Sequence, residues 1–289
     1  MNMKNTQNLL ALALFVAATG CSDDKASNAP DAAVSDASQT ATTVSLSTTG
    51  HLVDKDGKTL YFYVNDVASG NPQLSKCAVG TCLTKWPAFD AQSPTVGTGL
   101  TATDFGRFDR GDGTGFQATW KGRPLYYYSL DASVGATTGD GVGGIWFVAR
   151  AYNLFFAADT TVTPQGGTAA GTPFLTNGAG RSVYVFKSDT RATGGGDPVS
   201  KCRPDDASQA ACVAAWTIWD KPATVTTPVF PSTITATDVT FFTNSGKTQF
   251  VYKGWPLYFF NADANAGQVA GAMRPNWYAV NPAFSGTLP

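Results

Sequence analysis

From residue 46 onward the apolar positions alternate in short runs, and four of these runs share one pattern. Each has two aromatic residues one position apart, followed three residues later by Asp: Tyr61, Tyr63 and Asp66; Tyr126, Tyr128 and Asp131; Tyr184, Phe186 and Asp189; Tyr258, Phe260 and Asp263. Residues i and i+2 share one face of a strand, and Asp-Gly or Asn-Gly between apolar runs signals a tight turn. The pattern therefore predicts antiparallel hairpins.

The flanks sort the four segments into two types in the order A, B, A, B. Type A follows a hairpin signal at 51–60 or 174–183 and is followed by two cysteines and a tryptophan, Cys77, Cys82 and Trp86, then Cys202, Cys212 and Trp216. Type B opens with Trp120-Lys121-Gly122-Arg123-Pro124-Leu125 or Tyr252-Lys253-Gly254-Trp255-Pro256-Leu257 and closes with Trp146 or Trp277. Tyr61 and Tyr184 are 123 residues apart, Tyr126 and Tyr258 are 132, and Trp146 and Trp277 are 131. Offsets this similar mark a tandem duplication. The expected layout is all-β: one antiparallel module over 46–158, a Gly-rich linker over 159–171 and a second module over 172–289. Pro124 and Pro256 sit where a strand begins and a missing N–H is tolerated. Sandwich, barrel and small propeller-like arrangements all use such strands, so the choice among them stays open.

Composition agrees with strands. All 21 acidic residues are Asp, so the good helix former Glu is absent, while there are 30 Gly and 16 Pro in 289 residues. It also excludes chemistry. His51 is the only histidine, so neither a multi-histidine metal centre nor a blue-copper site can be assembled, and no Cys-x-x-Cys-His exists to attach haem. A formal charge of -1 gives no basic footprint for nucleic acid.

The amino terminus carries an address. Lys4 precedes an apolar run at 9–18 that is too short to span a bilayer, and the Ala18-Thr19-Gly20-Cys21 that follows resembles the bacterial lipobox, in which small residues precede a lipidated cysteine. Residues 1–20 are expected to be a signal peptide, Cys21 the lipidated first residue, and 21–45 a small, polar, flexible tether. Ser22, where an inner-membrane retention signal would place Asp, favours the outer membrane, facing the periplasm or the cell surface.

Taken together, the four motifs, the lipobox and the run Leu52-Val53-Asp54, Gly57, Thr59-Leu60-Tyr61, Cys77, Cys82, Trp86-Pro87 resemble bacterial predicted lipoproteins that carry a secreted repeat of unknown function. The resemblance covers nearly all of 46–285 and implies a secreted, membrane-anchored location, with no established activity. The second type A unit departs from it, through the longer Cys202–Cys212 spacing and a Trp216 without a following Pro.

The candidate sites follow from residue chemistry. In an exported chain, Cys77, Cys82, Cys202 and Cys212 form an even set suited to two disulfides, although four cysteines allow three pairings. The four motif Asp residues are either turn acceptors repeated with the architecture or carboxylates for glycan hydrolysis. Asp54-Lys55-Asp56-Gly57 and Asp109-Arg110-Gly111-Asp112-Gly113 read as turns before they read as calcium loops. The aromatics are expected in small cores, with some available to stack a ligand. His51 is read as a strand-edge residue, and an axial haem ligand at that position is the alternative. The leading expectation is a non-enzymatic binding or structural module, without catalytic residues or cofactor, that meets an envelope protein or glycan. The alternatives are an accessory of electron transfer holding a non-covalent haem or metal, and a carboxylate-based glycan hydrolase.

Overall fold

The structure, a computed structural model, describes residues 43–67, 75–159 and 161–289. The expected signal peptide, Cys21 and tether residues 22–42 lie outside the described residues. Residues 43–45, placed with the tether on composition, belong to a first strand, Thr43–Leu46, whose Val44 is fully buried. The fold is mostly β, in many small sheets, with about 11% helix and no closed barrel among the described residues.

Each type B unit is built on a hairpin with a third, two-residue strand. Phe105–Asp109, Phe116–Trp120 and Arg123–Pro124 form the first, and Val239–Asn244, Lys247–Tyr252 and Trp255–Pro256 the second. The tight turns Lys121-Gly122 and Lys253-Gly254 have positive φ at both positions, as a two-residue turn matched to the twist of the strands requires. Gly meets that demand freely, whereas Lys tolerates it at a cost.

The four motif strands lie side by side in pairs. In the second half the order is Trp216–Ile218, Tyr258–Phe260, Val183–Phe186, Trp277–Ala279, all antiparallel, with Tyr184 opposite Tyr258. The first half repeats it: Tyr61–Tyr63 pairs with Trp146–Val148, and Tyr126 bridges both Tyr61 and Ala88. The expectation of antiparallel pairing has two exceptions among the described residues: Thr43–Leu46 runs parallel to Thr95–Val96, and the isolated bridge between Gln165 and Val280 is parallel too.

Strand alternation divides the apolar residues between a central core and two satellites. Phe62, Phe147, Val183, Val185 and Phe259 face a central core that also contains Leu52 and Phe155 from the first half and Trp219, Phe250 and Phe284 from the second. The motif aromatics face the other way: Tyr61, Trp86, Tyr126, Tyr128 and Trp146 form one satellite, and Tyr184, Trp216, Tyr258, Phe260 and Trp277 belong to the other. Strand Leu154–Ala157 pairs along its length with Phe174–Asn177. Within 159–171, where no apolar alternation is visible, Val162 is buried and Gln165 bridges Val280.

Candidate functional site

The motif Tyr and Asp residues are joined by a reciprocal exchange. Tyr126 Oη donates to Asp66 Oδ2 at 2.5 Å, while Tyr61 Oη donates to Asp131 Oδ2 at 2.7 Å. In the second half Tyr258 donates to Asp189 at 2.8 Å, and Tyr184 donates to Asp263. The leading Tyr of each type A motif thus serves a type B carboxylate, and the leading Tyr of each type B motif a type A carboxylate. The second oxygen of each Asp accepts backbone N–H groups farther along the chain: from Lys76 at 2.6 Å, Thr138 at 2.9 Å, Lys201 at 2.7 Å and Ala270 at 3.0 Å. Each carboxylate closes its own turn as well, because its amide donates to the carbonyl three residues earlier.

Burial dominates the electrostatics of this network. Asp66 is fully buried and Asp189 nearly so, and desolvation raises both to about 7 against the opposing pull of their hydrogen bonds. Asp263 is raised for the same first reason. Burial, then the neighbouring carboxylate, lifts Tyr61, Tyr126, Tyr184 and Tyr258 above the usual phenol range, so all four donate as neutral hydroxyls.

The aromatics stack around this network. Trp86 lies on Trp146 with ring centres 3.9 Å apart, and Tyr63 and Tyr128 cover the outer faces at 4.2 Å each. Trp216 and Trp277 repeat the pair at 3.5 Å, covered by Phe260 at 4.5 Å and Phe186 at 4.3 Å. Tyr61 and Tyr184 meet Trp86 and Trp216 edge-on, at 5.4 and 5.3 Å. Disulfides Cys77–Cys82 and Cys202–Cys212 hold the loops before these tryptophans, each through a short helix, Thr81–Lys85 or Ala210–Ala215. The pairing is the local one among the three possible.

Gly139 and Gly271, 132 residues apart, complete each network by donating their amides to Tyr61 and Tyr184 at 3.3 and 3.2 Å. A Cβ on Gly139 would stand 2.9 Å from both Trp86 and Tyr61, and one on Gly271 would stand 2.6 Å from Tyr184. Ala at either position is expected to cost about 1–3 kcal/mol, because packed rings on both sides cannot retreat. Thermal unfolding of the two variants checks this, and an unchanged Tm would show that the rings can give way.

Other candidates have local duties. Asp54 Oδ1 accepts the amides of Asp56 and Lys58 at 2.9 and 2.8 Å, and Tyr127 Oη donates to Asp54 Oδ2 at 2.8 Å. In the 109–113 loop the Arg110 guanidinium pairs with Asp112 at 2.9 Å and donates to Ser75 and to the Cys77 carbonyl. His51 is buried, with Nδ1 within 3.0 Å of both Ser47 and Thr49 hydroxyls and Nε2 3.3 Å from Thr59. Burial, then Arg150, lowers its pKa. Among the described residues no three His, Cys, Asp or Glu side chains cluster in a way that could hold a metal ion. No described helix is long and apolar enough to cross a membrane.

Three kinds of residue escaped the reading of the sequence. Ser75 and Ser200, each two positions before a cysteine, hydrogen-bond the Tyr126 and Tyr258 hydroxyls at 2.8 and 2.7 Å. Gln117 and Gln249, 132 residues apart, donate to the Leu125 and Leu257 carbonyls at 2.8 and 2.9 Å. The duplication offsets themselves were the signal for both pairs. The third is a cavity of about 720 Å3, walled by Phe62, Tyr152, Phe155 and Trp219 and lined by Arg123 and Arg150.

The model of a secreted repeat of unknown function matches residues 43–90, 106–150 and 239–281. These segments hold the first, second and fourth motifs. The third motif, Tyr184 to Asp189, lies outside the matched segments yet occupies the equivalent strand and makes the equivalent bonds. No curated protein and no solved structure matches the chain.

Proposed function

We infer, for a chain in which three segments match the secreted repeat of unknown function, that the folded part is a non-enzymatic binding module of the cell envelope. One observation carries this reading. The four repeated carboxylates are each engaged by a phenol and a backbone amide, so the motif is spent on holding the scaffold together. Hydrolysis of a glycan requires an acid and a base that face a substrate, with space between them. Cys21, triacylated, anchors the module in the outer membrane, and the tether holds it off the lipid surface, where it meets a protein or glycan.

The test is a panel of glycosidase, esterase and peptidase substrates presented to protein released from its own membrane, together with intact mass spectrometry. No turnover is expected, and the mass should fit a triacylated Cys21 with two disulfides. Turnover that disappears in Asp131→Asn would overturn the non-enzymatic reading, and an unmodified Cys21 would overturn the anchor.

A further inference from the structure

The halves of the duplication differ around the type B hairpins. In the second half the carboxy-terminal segment closes over the hairpin: Tyr252 Oη and Lys253 Nζ donate to the Pro282 carbonyl at 2.8 and 3.2 Å, and Trp255 Nε1 donates to that of Gly286 at 2.9 Å. The residues 132 positions earlier are Trp120, Lys121 and Arg123. In the first half the chain instead leaves Val148 through Arg150 and Tyr152 to build strand Leu154–Ala157, which covers Arg123 with the Phe155 ring. Trp120 Nε1 and Arg123 Nε and Nη2 are buried without a hydrogen-bond partner among the described residues.

Arg123 is the informative one. It is only 2% exposed, its Nη1 donates to the Asp66 carbonyl at 2.9 Å, and its guanidinium lies 4.6 Å from the centre of the Phe155 ring. An arginine buried to this degree is costly unless its remaining donors are satisfied. Arg123 is one of the residues lining the cavity between the halves, and Arg150, whose Nε is also buried and unpartnered among the described residues, lines the same cavity. Lys121 at the rim is paired with Asp104 at 2.7 Å and adds no free charge. Two arginines that have no ion pair among the described residues therefore line a space walled by aromatic rings, with the Lys121-paired Asp104 also in its lining.

We propose that this cavity binds a small organic anion, an aromatic carboxylate whose head is taken by Arg123 and Arg150 and whose ring stacks among Phe62, Tyr152, Phe155 and Trp219. The planar fork of Arg matches a carboxylate in geometry and charge, and the aromatic walls match an apolar body. A volume of about 720 Å3 lies within the range of small-ligand sites. This proposal rests on the reading of the scaffold as a binding module and gives that module a ligand class. It also places the site where the duplication is broken, away from the repeated motif.

The test is isothermal titration of the full mature chain, carrying Cys21→Ser so that no acyl chain is attached, with 2-naphthoate and with its neutral analogue 2-naphthamide. One equivalent of 2-naphthoate should bind, at least about tenfold more tightly than the amide. Arg123→Met should abolish that preference. Because a buried substitution can disturb folding, Arg150→Gln at a half-buried position provides the second variant, expected to weaken binding several-fold with an unchanged Tm. Absence of saturable binding, equal affinity for acid and amide, or wild-type binding by both variants would overturn the proposal. Those outcomes are separate from the turnover and mass measurements that decide the non-enzymatic, anchored reading.

Discussion

Trp216→Ala is expected to lower the Tm by roughly 10–20 °C, the largest effect of any single substitution outside the disulfides. Trp216 is 4% exposed and lies flat on Trp277 at 3.5 Å, with Phe260 on its other face and Tyr184 at its edge. Truncating a buried Trp removes its transfer energy and leaves a cavity that rigid neighbours cannot fill, typically about 3–5 kcal/mol. Lost ring pairs add about 0.5–1.5 kcal/mol each. In a folded body of this size each kcal/mol moves the Tm by about 2–4 °C. Trp86→Ala should behave alike, since it loses the equivalent contacts to Trp146 and Tyr128. The comparison is Leu130→Ala, at a side chain 63% exposed, which should leave the Tm almost unchanged. Scanning calorimetry of the three variants decides the matter: a drop of under about 3 °C for both tryptophans would mean that the stacks are not structural.

The second large effect is on pH. Asp66 and Asp189 are each raised by burial from 3.8 to about 7 in the folded protein. Between those values the folded state holds a proton that the unfolded state has released, so stability is fully present below 3.8 and falls as pH rises through 7. For a carboxyl that titrates near 7, the change from pH 6 to 8.5 is about 1.4 kcal/mol, or roughly 5–12 °C in Tm for the two together. Asp263, raised by burial, acts in the same sense. His51 is lowered and acts in the opposite sense, but only below its ordinary value of 6.5, which a start at pH 6 largely avoids. The double variant Asp66→Asn, Asp189→Asn keeps the shape of the protonated carboxyls and cannot ionise, so its Tm should vary much less across the same range. An equally steep decline in the double variant would place the titration elsewhere.

Much of this architecture was legible in the chain. Tyr61 and Tyr63 share a face because strand side chains alternate, and the offset of 132 residues tied Tyr258 to Tyr126; Gln249 and Gln117 stand at the same offset but carry no motif that singles them out. The disulfides followed from compartment and even number. What stayed hidden was partnership across distance. Asp66 shows in sequence only that it ends a strand, while its phenol comes from Tyr126, 60 residues later. Trp86 and Trp146 were both visible as markers, but nothing local says that their rings meet. The Lys121-Gly122 turn was hidden because Lys is an uncommon residue for positive φ. The first strand was obscured by the polar neighbours of Val44 and Leu46. Arg123 could have been found by asking where the two copies disagree, since Trp255 stands at the corresponding position.

The exchange of phenol and carboxylate also constrains how such chains can change length. A motif copy supplies one donor to its neighbour and needs one in return, so a solitary copy leaves a buried hydroxyl and a buried carboxyl both unanswered. Recombination that removes or inserts a single copy therefore produces a chain with a defect in its interior, while gain or loss of an adjacent A and B copy keeps every bond. Copy number in this architecture should move in twos, and the third motif, although outside the matched segments, exchanges both bonds with the fourth through Tyr184 and Asp189.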